Sequence, residues 1–252
     1  MQDSSVVQPC EVQLDCAHIL YDAATVAKPQ TLIFEPRELA QRGVLVGEAS
    51  GRARVYFIRT DAGDWVLRHY RRGGVVANLL GDNYLWTGKA YTRAWREWRL
   101  LHRLWTQGLP VPRPVAARVT RRGFFYKADL ITQRLMQTRS LAHKLRECTL
   151  VASGWTAIGV CIRRFHDAGL CHADLNAHNI LLTEDYRTFL IDFDKSTLRT
   201  DAGSWRRANL ARLRRSLIKL QSLSDAFHFS EQGWEALCNG YDAALRAPHS
   251  AQ

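Results

Sequence analysis

The stretch from Leu170 to Asp194 constrains this 252-residue chain more than any other. Its polar residues stand at set places among short apolar runs. Asp174 is followed five positions later by Asn179, and the triplet Ile180-Leu181-Leu182 comes next. After Glu184-Asp185-Tyr186-Arg187 a second run, Phe189-Leu190-Ile191, delivers Asp192. Two apolar runs around a polar turn read as a hairpin, and Asp and Asn are ordinary turn residues. Turn chemistry does not ask for His172, Asp174, Leu175, Asn179 and Asp192-Phe193 at these intervals, so the same residues also read as a site.

The spacing is similar to H-x-D-L-x-x-x-N followed by D-F-x, the catalytic loop and metal-binding turn of protein-kinase-like phosphotransferases. Phosphoryl transfer needs a carboxylate to orient the acceptor hydroxyl, and oxygen ligands to hold Mg²⁺ on the triphosphate of ATP. The resemblance gives the first task to Asp174 and the second to Asn179 and Asp192.

With 46% hydrophobic and 23% charged residues, the chain has the balance of a globular protein large enough for a sizeable core. No apolar run approaches the ~20 residues of a membrane-crossing helix. Met1-Gln2-Asp3-Ser4-Ser5 lacks the basic and apolar regions of a signal peptide, so a cytoplasmic protein is expected. The six cysteines are scattered without a C-x-x-C pair and read as free thiols. A cluster of Cys161, His166, Cys171, His172 and His178 would fit no recognised zinc spacing. The net charge of +11 calls for an anionic partner: nucleic acid, a membrane surface or a phosphorylated ligand.

Residues 1–30, with Pro9 and Pro29, show no strong periodicity and read as an N-terminal extension or a poorly specified cap. From Val44 to Ile58 the pattern is strand, glycine-containing turn, strand, and Trp65–Tyr70 is a third strand. Gly51 at the tip could let backbone N–H groups approach a phosphate, although hairpin glycines are common and no G-x-G-x-x-G is present. In the helix expected over Tyr91–Trp105, Glu97 shares a face with Ala94, Leu101 and Leu104. A carboxylate there needs a cationic partner. Arg68 on the third strand is one candidate; Arg93 or Arg96 on the same helix is the other. Two strands near Ala116–Thr120 and Tyr126–Arg134 complete an N-terminal lobe over 31–134, mostly antiparallel sheet with one main helix. Residues 135–139 read as a hinge where adenine could bond backbone groups.

Residues 140–252 read as a mainly helical C-terminal lobe. Ser140 is a helix N-cap, and Trp155, Ile158, Ile162 and Phe165 form an apolar stripe ending at Gly169. From Trp205 to Gln221, Leu210, Leu213, Leu217 and Leu220 fall in one arc and Arg207, Arg212, Arg214, Arg215 and Lys219 across the other. That basic face is either solvated or an electrostatic dock for anionic lipid or substrate. Trp234, Leu237, Tyr241 and Leu245 mark a last packing helix.

Several stretches resemble the 3-deoxy-D-manno-octulosonic acid (Kdo) kinases of lipopolysaccharide biosynthesis. They are Val66–Gly74, Tyr84–Gly88 with Thr92-Arg93, Phe165–Asn179, Leu190–Lys195 and Asn209–Leu217. The resemblance implies an α+β, bilobal protein-kinase-like fold, and ATP-dependent phosphorylation of the Kdo 4-hydroxyl on Kdo–lipid IVA. The place would be the cytoplasmic side of the inner membrane, with peripheral contact to anionic lipid. Asp174 is then the catalytic base, Asn179 and Asp192 hold Mg²⁺, and Arg68 with Glu97 binds ATP in place of the usual Lys–Glu pair.

Departures from the protein-kinase pattern carry information too. Ala173 stands where an arginine would read a phosphorylated loop, Asp194 replaces the D-F-G glycine, and no A-P-E follows. A small-molecule or lipid acceptor is favoured over a protein, and no protein partner is expected. Other readings are a heptose, aminoglycoside or RIO-like kinase, or a non-catalytic anion-binding module. No aromatic–basic stacking pattern accompanies the arginines, which argues against nucleic acid.

Overall fold

The computed structural model describes residues 6–50, 54–71, 82–201 and 203–244. Gly51 therefore lies outside the described residues. The chain divides into two compact units, Met1–Gln107 with Pro112–Arg134, and Gly108–Val111 with Leu135–Gln252. The architecture is α+β, as expected.

The first unit is built on an antiparallel sheet. Its strands are β1 (Pro9–Leu14), β2 (Ala17–Asp22), β3 (Leu45–Ser50), β4 (Arg54–Thr60), β5 (Gly63–His69), β6 (Tyr84–Leu85), β7 (Pro114–Arg122) and β8 (Phe125–Gln133). The order is β1-β2-β7-β8-β5-β4-β3, with β6 also on β8. One face is covered by helix α2 (Arg93–Thr106), which sinks Trp95, Trp98, Leu101 and Leu104 against β7 and β8. On the other, Phe34 and Leu39, the latter from α1 (Pro36–Gln41), pack with Ile19, Ile58, Trp65, Leu67 and Ile131. With both faces covered, β8 loses the alternation of a half-exposed strand and buries Ala128 to Ile131 without a break.

Residues 9–22, read from the sequence as part of an extension or poorly specified cap, form two strands of this sheet. Cys10, Val12 and Leu14 of β1 are partly buried at every second position, and β2 pairs with β7 from Ala17↔Thr120 to Tyr21↔Ala116. Asp22 is wholly buried, and its carboxylate accepts from Gln8 N at 2.8 Å, Ala24 N at 3.0 Å and Thr25 Oγ1 at 2.7 Å. Arg113 Nε and Nη2 reach it at 2.9 and 2.7 Å. A buried carboxylate this fully bonded holds the segment in place.

In the second unit, α3 (Leu141–Glu147) is capped by Ser140, whose hydroxyl accepts from His143 N at 3.1 Å. Arg139-Ser140, placed by the sequence at the hinge's end, forms the short β9 against β11 (Ile180–Leu182). Gly108–Val111 falls in this unit rather than with the sheet, because Leu190 N donates to Pro110 O at 3.1 Å and Arg164 Nη2 to Gly108 O at 3.1 Å. Helix α4 (Ala152–Asp167) packs on α6 (Glu231–Ala243) at backbone contact. A Cβ on Gly159 would lie 2.0 Å from Leu237 O, and one on Gly240 2.4 Å from Thr156 O.

Gly159→Ala is expected to lower stability by about 2 kcal/mol in urea unfolding. Overpacking against backbone outweighs the gain in helix propensity. An unchanged midpoint would mean that the two helices separate at no cost.

Candidate active site

The catalytic-loop candidate is positioned from both ends. Trp155, Ile158, Ile162 and Phe165 bury the stripe of α4, and the helix stops at Gly169, whose φ of +81° suits a residue without Cβ. A Cβ there would also meet Arg199 O at 2.4 Å. The next two residues, β10 (Leu170–Cys171), pair with β13 (Thr197–Leu198), so the entry to the loop is tied to the segment that follows Asp192. Beyond the loop, β11 pairs with β12 (Thr188–Leu190) in register Ile180↔Leu190, the hairpin expected from the two apolar runs.

Four hydrogen bonds then close a ring. Asp174 N donates to His172 Nδ1 at 3.1 Å, and His172 Nε2 donates to Ile191 O at 3.1 Å. Ile191 N donates to Asn179 O at 3.1 Å, and Asn179 Nδ2 to Asp174 O at 2.9 Å. Asp174, Asn179 and the residue preceding Asp192 are thereby brought together around one imidazole. The ring needs His172 neutral, accepting at Nδ1 and donating at Nε2. Burial supplies this: it disfavours the imidazolium and holds His172 below its ordinary pKa, against the Ile191 carbonyl bond, which pulls the other way. Phe193, 1% exposed, lies beside the imidazole at 5.2 Å between ring centroids and beside Phe165 at 6.2 Å.

Asp192 sits at φ +63°, a left-handed conformation that costs a non-glycine residue about 1 kcal/mol. Fixing Ile191 through both its N–H and its C=O holds the next residue there. Asn179 spends its amide N–H₂ on Asp174 O, so its Oδ1 is the end that can meet a cation. That oxygen and the Asp192 carboxylate are hard donors of the kind a divalent metal ion takes. Among the described residues no group of three or more His, Cys, Asp and Glu that could hold a metal ion is found. Of the alternative metal cluster, Cys161, His166 and His172 are buried, whereas Cys171 is half-buried and His178 exposed. His166 bonds Tyr241 OH at 2.8 Å and is pushed down to about 4 by burial; Cys161, donating to Thr188 O at 3.4 Å, is pushed up to about 12.

Helix α5 (Trp205–Ser222) supports the loop from below. Asn209, 6% exposed, accepts His172 N at 3.0 Å through Oδ1 and donates to His172 O at 3.1 Å through Nδ2. Ser216 Oγ accepts Ala177 N at 3.3 Å. Between them, Arg212 Nη1 donates to Asp174 Oδ1 at 3.2 Å. Asn209 and Ser216 were not singled out as site residues from the sequence. A polar residue in the same arc as Leu213 and Leu217 is the signal that marks Asn209. The helix buries Trp205, Asn209, Leu213 and Leu217, while Leu210 and Leu220 are only half-buried.

In the first unit, Arg68 of β5 meets Glu97 of α2 through Nη2, and the Glu97 carboxylate is 3% exposed. Tyr70 OH donates to the same Glu97 oxygen at 2.5 Å, and the Arg68 guanidinium lies over the Tyr70 ring at 4.9 Å. Glu97 thus has the cationic partner its apolar face called for.

A sheet strand carrying a cation paired with a buried helix carboxylate, and a helical unit presenting the Asp174 loop, define a protein-kinase-like phosphotransferase. The model of the lipopolysaccharide kinase (Kdo/WaaP) family matches residues 38–241. A 3-deoxy-D-manno-octulosonic acid kinase of Photobacterium profundum is 39% identical over 232 residues, 92% of this chain and 98% of that protein. The kinases of the same name from Stenotrophomonas maltophilia (strain K279a) and Xanthomonas campestris pv. campestris (strain B100) are 40% and 45% identical, over 96% and 81% of this chain and the same shares of theirs. The chain belongs to the lipopolysaccharide kinase (Kdo/WaaP) family, and it is a kinase that uses ATP as its phosphoryl donor.

Asn209→Leu removes both bonds to the His172 backbone and leaves its N–H and C=O buried without a partner. At about 1–3 kcal/mol for each of the two groups, a loss of roughly 2–6 kcal/mol is expected in chemical unfolding. A loss under about 1 kcal/mol would show that the loop does not depend on this helix.

Proposed function

We propose that the protein transfers the γ-phosphoryl group of ATP to the 4-hydroxyl of Kdo on Kdo–lipid IVA, at the cytoplasmic side of the inner membrane. The observation that carries the reading is the Asp174 carboxylate, 43% exposed, on a loop whose backbone is fixed to Asn179 and to the Asp192 segment by the ring through His172. The names of the relatives supply the acceptor sugar. Asp174 orients the hydroxyl and takes its proton as the acceptor oxygen bonds to the γ-phosphorus. The bond from that phosphorus to the β-phosphate bridging oxygen breaks, and ADP leaves. Asn179 Oδ1 and the Asp192 carboxylate would hold Mg²⁺, which supplies charge neutralisation on the triphosphate. Arg68, oriented by Glu97, contacts the α- and β-phosphates, and the backbone of 135–139 meets adenine. The part assigned to Gly51, a backbone approach to a phosphate, rests on its place in the sequence alone.

The membrane side of the proposal rests on α5. Arg212 and Arg214 are engaged within the protein, the latter with Glu231 at 2.8 Å. Arg207, Arg215 and Lys219 are exposed, and none forms an ion pair with another described residue. Ile218 lies on the same outward side at 44% exposure and Leu223 follows at 71%. Cations flanking an apolar tooth suit the surface of an anionic bilayer. Among the described residues no helix is long and apolar enough to cross a membrane.

Purified protein with Mg·ATP and Kdo–lipid IVA is expected to yield a product heavier by one phosphate, and Asp174→Ala to lower kcat by several orders of magnitude with a smaller change in KM. Turnover of a heptosylated core but not of this acceptor would overturn the assignment of the sugar. An unchanged rate in the variant would overturn the role of Asp174. Charge reversal at Arg207, Arg215 and Lys219 together should weaken binding to anionic vesicles by at least two orders of magnitude at about 1 kcal/mol per charge, and less at high salt. Salt-insensitive binding would return this face to solvent.

A further inference from the structure

The two oxygens of the Asp174 carboxylate have partners of different kinds. Oδ2 accepts Asn176 Nδ2 at 3.0 Å, from the same turn, whereas Oδ1 accepts Arg212 Nη1 at 3.2 Å, from α5. Asn209, Arg212 and Ser216 follow one another along one side of that helix, and each reaches the loop. Asn209 and Ser216 bond backbone groups, which fixes the loop's course. Arg212 bonds the reactive side chain instead.

Its pair with Asp174 is built to be exchanged. Both side chains are about half exposed, 48% and 43%, so water screens the attraction. A guanidinium is a planar fork that takes a carboxylate through two parallel N–H bonds, yet here it touches Asp174 through a single nitrogen. Meanwhile the guanidinium takes one of the lone-pair sites of Oδ1 and draws off its charge, so an acceptor hydroxyl meets a weaker base while Arg212 is bound there. An incoming acid sugar resolves both. Its carboxylate offers the fork a two-point partner, and the departing arginine uncovers the oxygen that the hydroxyl requires.

We infer that Arg212 is a specificity residue that reads the sugar carboxylate of the acceptor, and that it releases Asp174 Oδ1 in doing so. The inference rests on the acceptor class proposed above. It makes recognition of the acid group and exposure of the base a single event, so a neutral sugar is rejected even where its hydroxyl could reach the site.

The test compares two acceptors, Kdo–lipid IVA and its Kdo C1 carboxamide, on wild-type protein, Arg212→Gln and Arg212→Lys. Wild-type kcat/KM should favour the carboxylate by roughly 10–100-fold, the range for hydrogen bonds to a charged group. Arg212→Gln should lose that factor, falling on the carboxylate acceptor and rising on the carboxamide because Asp174 Oδ1 is then uncovered, and Arg212→Lys, which keeps the charge without the fork, should recover part of it. Selectivity that survives in Arg212→Gln overturns the inference. So does an equal fall on both acceptors, which would place the arginine on the transferred phosphoryl group or in the fold. Unfolding midpoints of the two variants separate those causes. A wild-type protein inert towards both acceptors is a different outcome: it removes the acceptor class proposed above, and the inference with it.

Discussion

A ring of four hydrogen bonds, two of them made by His172, joins the loop at Asp174, the end of that loop at Asn179, and the strand exit at Ile191. Backbone groups carry most of the ring, so Asp174 keeps its carboxylate and Asn179 its amide oxygen for other partners. The imidazole can serve two partners only as one neutral tautomer, and its burial secures that state. The left-handed turn at Asp192 is tolerated for the same reason, since the residue before it is held at both its donor and its acceptor. The surrounding packing serves this ring: Phe193 walls it, Asn209 braces it from α5, and Gly169 lets the chain enter it closely.

Helix α5 divides its work by side. Inward, Asn209 and Ser216 replace the backbone partners that a loop without strand neighbours would otherwise lack. Outward, Arg207, Arg215, Lys219 and Ile218 face solvent. A helix with polar residues on both sides is poorly described by its leucines alone, which explains why only two of the four expected leucines are buried. In the first unit Glu97 plays a comparable double part. It is buried among tryptophans and leucines, and its carboxylate serves Arg68 and Tyr70.

What could be read from the sequence was local chemistry and its spacing. The Ser140 cap, the Gly169 stop, the hairpin after Asn179 and the need of Glu97 for a cation all follow from residues within a turn or two of one another, or from a charge on an apolar face. What escaped was non-local. Gly159 and Gly240 look like weak helix residues until two backbones are found touching there. Pro110 belongs with the second unit only through its bond to Leu190. The alternation of Cys10, Val12 and Leu14 was visible, but a six-residue strand next to charged positions and a proline gives a faint period, and its partner β2 finds β7 about a hundred residues away.

The N-terminal hairpin has a bearing on how such a protein stays soluble. β7 is flanked on one side by β8 and on the other by β2, and Ala116, Ala117 and Val119 are wholly buried. Were the first thirty residues absent, β7 would become a bare edge of main-chain donors and acceptors bordered by apolar side chains, and Arg113 would lose Asp22. Such an edge is a template for strand-to-strand association between molecules. β1 and β2 thus act as a guard rail: they cover β7 and move the edge of the sheet that carries Arg68 to β1, a strand that opens on Pro9 and shows Glu11 to solvent.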